Sequence, residues 1–170
     1  MSVAKPQIEV FPVRLAPRIA AGFISPMGFA PTERLPEGEN WLFELKLNGC
    51  RAIAFKSGGK LHLRSREDTD LSAKYPAIVT GLAALPDETV IDGEIIALDQ
   101  AGRPSSQALR SYGSSETPLL YYVFDVMVFD GFDLMRQSLQ RRRSLLGRKS
   151  SRSSVNRCGI PRAWTRRFPT

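Results

Sequence analysis

The chain has 170 residues, 42% of them apolar and 24% charged, a composition ordinary for a soluble globular domain with a sizeable core. Two distant cysteines, Cys50 and Cys158, argue against a disulfide framework or a zinc site, and the longest apolar run, YYVFDVMVF, is too short for a membrane span and is broken by Asp125. The net charge of +7 is unevenly placed: residues 1–140 hold 14 Lys/Arg against 17 Asp/Glu, net −3, whereas residues 141–170 hold 10 Lys/Arg and no acid, so whole-chain basicity says little about the folded part.

Residues 1–40 carry recurrent proline and glycine and read as an extended arm with loops; they contain no continuous apolar core of the kind that makes a secretory signal. Asn48-Gly49 between WLFELKL and RAIAF predicts a hairpin of Trp41–Leu47 with Arg51–Phe55, placing Trp41, Phe43, Leu45 and Leu47 on one face and Glu44, Lys46 and Asn48 on the other. Ser57-Gly58-Gly59-Lys60 lacks the GxxxxGK[ST] spacing of a phosphate loop and reads as a plain turn into LHLRSR. The sole histidine, His62, alternates with Leu61 and Leu63 and reads as a surface or edge residue.

Tyr75, Ile78, Val79, Leu82 and Leu85 share a helical face, with Pro76 in the first turn and Pro86-Asp87 as the stop. Thr89–Leu98 reads as a strand, Ser105–Arg110 as a short helix or turn, and Leu119–Phe129, apolar on both faces, as a central strand. Asp133–Arg148 reads as a helix ending near Gly147. From Ser150 the hydrophobic pattern gives way to serine and arginine, which reads as a disordered tail, either nucleic-acid-binding or the product of out-of-register translation. The expected organisation is an arm over 1–25, a partial domain over 26–148 and a basic tail over 149–170.

A lysine on a rigid element beside a tight turn can serve as an amine nucleophile, and Lys46 meets that demand. The run Glu44-Leu45-Lys46-Leu47-Asn48-Gly49-Cys50-Arg51 resembles the nucleotidyl-transfer motif of ATP-dependent DNA ligases. Three further stretches match that family in order: Leu63-Arg64-Ser65-Arg66 followed by DLSAKYP, Val90-Ile91-Asp92-Gly93-Glu94-Ile95, and Tyr122-Val123-Phe124-Asp125 with Asp130-Gly131 behind it. The resemblance is greatest to the ligase module of bacterial end-joining ligases and covers about Pro26 to Leu146.

That resemblance implies an α+β fold of antiparallel sheets with outer helices, an ATP-grasp-like nucleotidyltransferase. It implies that Lys46 attacks the α-phosphate of ATP to give a lysine–AMP phosphoramidate. Glu44 and Leu45 would lie near the adenine edge, Arg51 and Arg66 near the ribose and phosphates, and Phe124 against the adenine ring. Glu94 would bind the ribose or help place Mg²⁺ or Mn²⁺. These roles suit the residue types, since a planar base takes an aromatic face and charge building on phosphorus takes arginine and a divalent cation. The implied partners are nicked or broken double-stranded DNA and other end-joining proteins in the bacterial cytoplasm. A capping-type or RNA-joining enzyme shares the lysine motif, and a non-catalytic nucleotide- or nucleic-acid-binding fragment is the reading from another class.

Two features depart from the family pattern. Asn48 stands where the family has aspartate, keeping the shape but losing a charge and one acceptor oxygen. The family's later motifs, a metal-binding glutamate, a lysine pair and an OB-fold, have no counterpart after Leu146, so a partial domain of impaired activity is expected.

Overall fold

The computed structural model describes residues 16–38, 41, 43, 44, 46–113 and 117–146, and the backbone of 167–168. The chain order is β1 (Cys50–Ser57), β2 (Lys60–Ser65), α1 (Pro76–Gly81), β3 (Thr89–Ala97), α2 (Ser106–Arg110), β4 (Leu119–Phe129), β5 (Phe132–Asp133), α3 (Leu139–Leu146) and β6 (Arg167–Phe168). The expected α+β class is what forms: one antiparallel sheet in the order β2-β1-β3-β4-β5, with β6 also on β4.

Gly58 and Gly59, at φ +57° and +76°, supply the two left-handed positions of a two-residue hairpin turn, and β1 pairs with β2 from Ala52↔Ser65 to Ser57↔Lys60. β1 pairs with β3 along its other edge, from Cys50↔Ile95 to Lys56↔Thr89. Both edges of β1 are therefore taken, and the expected hairpin of Trp41–Leu47 with Arg51–Phe55 does not form. None of the described residues between Trp41 and Asn48 lies in a strand, and Asn48-Gly49 leads directly into β1. Trp41 and Phe43, expected to share one face of that hairpin, are 55% and 61% exposed.

The sheet carries apolar residues on both faces. On one, Ala52, Ala54, Ile91, Ile95 and Tyr121 pack with residues of the three helices, Ile78, Leu109 and Leu145. Tyr75, Ile78, Leu82 and Leu85 are buried as their spacing foretells, with Pro76 at the helix start, although regular helix ends at Gly81. On the other face Ile53, Val90, Met127 and Val128 are covered by Ala21, Phe23 and Ile24 of the arm. The arm is pinned there by the Ile19 N–H on the Gly131 carbonyl at 2.8 Å and the Ala21 N–H on Glu88 Oε2 at 2.5 Å. His62 lies on the edge strand β2, stacked on Phe55 with ring centroids 4.9 Å apart.

The helix expected over Asp133–Arg148 begins six residues later, at Leu139. Asp133 belongs to β5 instead, opposite Val128, because Asp130 and Gly131, at φ +50° and +76°, turn the chain back on β4. Its Oδ1 then accepts from the Met135 N–H at 2.8 Å, and Ser138 Oγ accepts from the Arg141 N–H at 3.4 Å as α3 opens. Of the expected tail, only Arg167–Phe168 is described, paired with Leu119-Leu120 of β4.

Candidate active site

Three adjacent strands bring three of the four sequence motifs into one neighbourhood, while the second, Leu63–Arg66, lies along the end of β2. Arg51 of β1 stands opposite Glu94 of β3, and Glu94 stands opposite Tyr122 of β4. Side chains alternate along a strand, so Arg51 shares the face of Ile53, and Asp92 and Glu94 that of Val90. The candidate site thus lies on the sheet face whose other part the arm covers.

Arg51 is committed to two neighbours. Its Nε and Nη2 donate to Asp92 Oδ1 and Oδ2 at 2.7 and 2.6 Å, a bidentate fork. Its guanidinium carbon sits 4.5 Å from the Phe124 ring centroid, a cation–π contact worth about 1 kcal/mol. Asp92 is 4% exposed; burial pushes its carboxyl above the usual carboxylate range, against the opposing pull of Arg51. The guanidinium in turn is held more firmly protonated, chiefly through its bond to Asp92. One face of Phe124 is consequently backed by a fixed cation.

Glu94 reaches across to the segment bearing Lys46. The Gly49 N–H donates to Glu94 Oε1 at 2.6 Å. A side chain at position 49 would prevent this approach, since its Cβ would lie 2.2 Å from the Ile95 carbonyl oxygen. Glu44, two residues before the lysine, is ion-paired with Arg143, whose Nε also donates to the Phe124 carbonyl at 2.7 Å. Lys46 itself is exposed and forms no ion pair among the described residues.

Arg66 lies just beyond β2 and faces Glu67 at 3.6 Å, with no contact to the Arg51–Phe124 group among the described residues. Arg64 is held by Asp68 at 2.9 Å. Leu45 lies outside the described residues. No group of three or more potential metal-ligating side chains occurs among the described residues. A single carboxylate at Glu94 still suits Mg²⁺, which keeps several waters and is commonly held by one or two carboxylates together with nucleotide phosphates.

Arg142 and Arg143 lie within the helix expected over Asp133–Arg148 but outside all four motifs. Arg142 Nε and Nη2 donate to Asp125 Oδ1 and Oδ2 at 2.7 and 2.8 Å, the two side chains being 12% and 15% exposed. The signal that could have placed them is Ser138 as a helix cap, with Leu145 on the inward face three and two residues on.

Such a sheet, with an aromatic ring, a fixed guanidinium and a carboxylate gathered beside a lysine segment, is that of a nucleotidyltransferase. A family model described as the ATP dependent DNA ligase domain matches residues 30–157, and the chain belongs to that family. The multifunctional non-homologous end joining protein LigD of Pseudomonas aeruginosa is 35% identical over 128 residues, covering 73% of this chain and 15% of that protein. The SPbeta prophage-derived DNA ligase-like protein LigB of Bacillus subtilis is 31% identical over 127 residues, covering 73% of this chain and 46% of the relative. Among solved structures, mycobacterial DNA ligase D complexed with ATP and MES superposes with a TM-score of 0.55 at 34% identity, over 61% of this chain and 34% of the other. The chain thus spans well under two thirds of the length of these relatives. Among the described residues no helix is long and apolar enough to cross a membrane.

Proposed function

We propose that the chain provides the lysine-adenylating part of an ATP-dependent DNA ligase acting on nicked or broken duplex DNA in bacterial end joining. The supporting observation is the convergence, on adjacent strands, of Arg51, Glu94 and Phe124 with the Gly49 anchor of the lysine segment. Lys46 Nζ attacks the α-phosphorus of ATP, forming a P–N bond as the bond to the bridging oxygen breaks and pyrophosphate leaves. The AMP then passes to a DNA 5′-phosphate, and a 3′-hydroxyl displaces it.

Phe124 stacks on the adenine through the face opposite Arg51. Arg51 braces the ring and adds positive charge beside the ribose, Glu44 and Leu45 flank the adenine edge, and Arg66 closes towards the phosphates once nucleotide is bound. Glu94 accepts from the ribose with the oxygen not used on Gly49, and a Mg²⁺ or Mn²⁺ ion on the phosphates would supply charge neutralisation there. The test is incubation with α-labelled ATP and Mg²⁺. Covalent label that is lost in Lys46→Ala supports the reading, whereas an unlabelled chain, or label that survives that substitution, rejects it.

A further inference from the structure

Arg143 stands outside the four motifs yet touches two of them. It ion-pairs with Glu44 and donates from Nε to the Phe124 carbonyl at 2.7 Å. The first contact fixes the segment two residues ahead of Lys46. The second fixes the strand backbone that carries the aromatic ring. Its side chain is 25% exposed, so it sits partly sheltered between the two. The base of the clasp is rigid, because the neighbouring Arg142 is forked onto Asp125 and also donates from Nη1 to the Gln137 carbonyl at 2.6 Å.

The lysine segment needs such a tether. No described residue from Trp41 to Asn48 lies in a strand, so no backbone ladder orders these described residues. Its described ties to the sheet are the Gly49 amide on Glu94 at one end and Glu44 on Arg143 at the other, with Lys46 between them. A planar fork that bonds a carboxylate and a carbonyl together sets the separation of the two groups it joins, which a single ammonium cannot do as well.

We propose that Arg143 is a positioning residue for lysine adenylation: by clasping Glu44 to the Phe124 backbone, it holds the Lys46 segment at a fixed distance from the ring on which the purine stacks. This rests on the function proposed above. The Glu44 carboxylate is already neutralised by a cation when the nucleotide arrives, so it meets an adenine edge as a held acceptor and not as a freely moving anion.

The experiment compares Arg143→Gln, Arg143→Lys, Glu44→Gln and the double variant Arg143→Gln/Glu44→Gln in the full chain. Hydrogen exchange of the 41–48 peptide, read without ATP, should speed up equally in Arg143→Gln, Glu44→Gln and the double variant. Labelling by α-labelled ATP at saturating nucleotide should fall about a hundredfold in Arg143→Gln, the cost of misplacing reacting groups by about 1 Å. It should fall less in Arg143→Lys and no further in the double variant than in either single one. Unchanged exchange in Glu44→Gln, whose side chain is 49% exposed, would overturn the clasp. So would a normal labelling rate in Arg143→Gln, or losses that multiply in the double variant. An unlabelled wild-type chain instead rejects the function proposed above, and the exchange comparison then decides the clasp alone.

Discussion

The Gly49 amide and the Glu94 carboxylate meet at 2.6 Å across 45 residues of sequence. This contact joins the lysine segment to the middle of the sheet and gives Glu94 two separable duties. Glu94→Gln keeps a carbonyl that accepts from Gly49 but loses the charge, whereas Glu94→Ala loses both. Labelling by α-labelled ATP should fall about tenfold in the first and about a hundredfold in the second, with faster exchange of the Gly49 amide only in the second. Equal rates in both variants and the wild type would remove Glu94 from the site.

Asn48 lies beside that anchor and is exposed, so its replacement carries little folding cost, within about 0.5 kcal/mol. Asn48→Asp restores the second acceptor oxygen and the negative charge. The adenylation rate of Asn48→Asp should rise about tenfold or more over wild type at saturating ATP and Mg²⁺, because better placement of the reacting amine outweighs the small electrostatic change. A rate at or below wild type would show that the asparagine costs nothing.

The ion pair of Arg142 with Asp125 is mostly buried, and its removal from one side leaves the other charge without its partner. Asp125→Asn should therefore destabilise the fold by about 3 kcal/mol, measured by urea unfolding. Paired replacement of both residues by well-fitting apolar side chains should recover much of that loss. A neutral Asp125→Asn would mean that α3 is held by the apolar contacts of Leu145 and the Arg143 bond to Phe124 without need of this ion pair.

How far the sequence could be read depended on which signals are local. Gly58-Gly59 and the buried stripe Tyr75–Leu85 carry their own turn or period, and both appear where expected. Asn48-Gly49 and Asp130-Gly131 have the same local chemistry, yet only the second makes a hairpin, between Phe129 and Phe132. The difference is tertiary: β1 has β2 and β3 on its two edges, so no edge remains for the residues before Asn48. In the candidate site, three motifs carry Arg51, Glu94 and Phe124, which adjacent strands bring together, whereas Arg66 of the remaining motif faces Glu67 beyond β2. The Asp92 fork and the Arg143 clasp are diagonal and long-range contacts, and no single stretch encodes them. Arg142 and Arg143 bind the sheet from α3, outside every motif, and their partners Asp125 and Phe124 lie on another element.

Acid should loosen the arm at its Glu88 attachment. Glu88 accepts from the Ala21 N–H at 2.5 Å and from Ser57 Oγ at 2.9 Å, and the bond from Ala21 is the larger cause holding its carboxyl below the ordinary glutamate value. A depressed folded value means that the folded state favours the carboxylate. Its contribution is present above the unfolded value of about 4.3 and is lost as pH falls through the lower folded one. Exchange at the Ala21 amide, corrected for intrinsic pH dependence, should therefore stay protected at pH 5 and rise only below the ordinary glutamate range. Glu88→Gln should lose this step. An Ala21 amide equally protected in Glu88→Ala and wild type would assign the arm's attachment to Phe23 and Ile24 instead.

Close packing of the sheet is set at Gly93, in the centre of β3. A Cβ there would lie 2.7 Å from the Tyr122 carbonyl oxygen and 2.8 Å from the Tyr121 ring. The ring cannot swing clear, because Tyr121 is fully buried and its hydroxyl donates to the Ala52 carbonyl at 2.8 Å. Gly93→Ala must then push β4 away from β3 and should cost about 1–3 kcal/mol by urea unfolding, as overpacking does. Because Phe124 follows on the displaced strand, the labelling rate should fall as well. Gly22→Ala is the control, since nothing lies within 4 Å of the position its Cβ would take, and it should stay within about 0.5 kcal/mol of wild type. Equal midpoints for the two variants would mean that β3 and β4 are not packed as closely as these distances require.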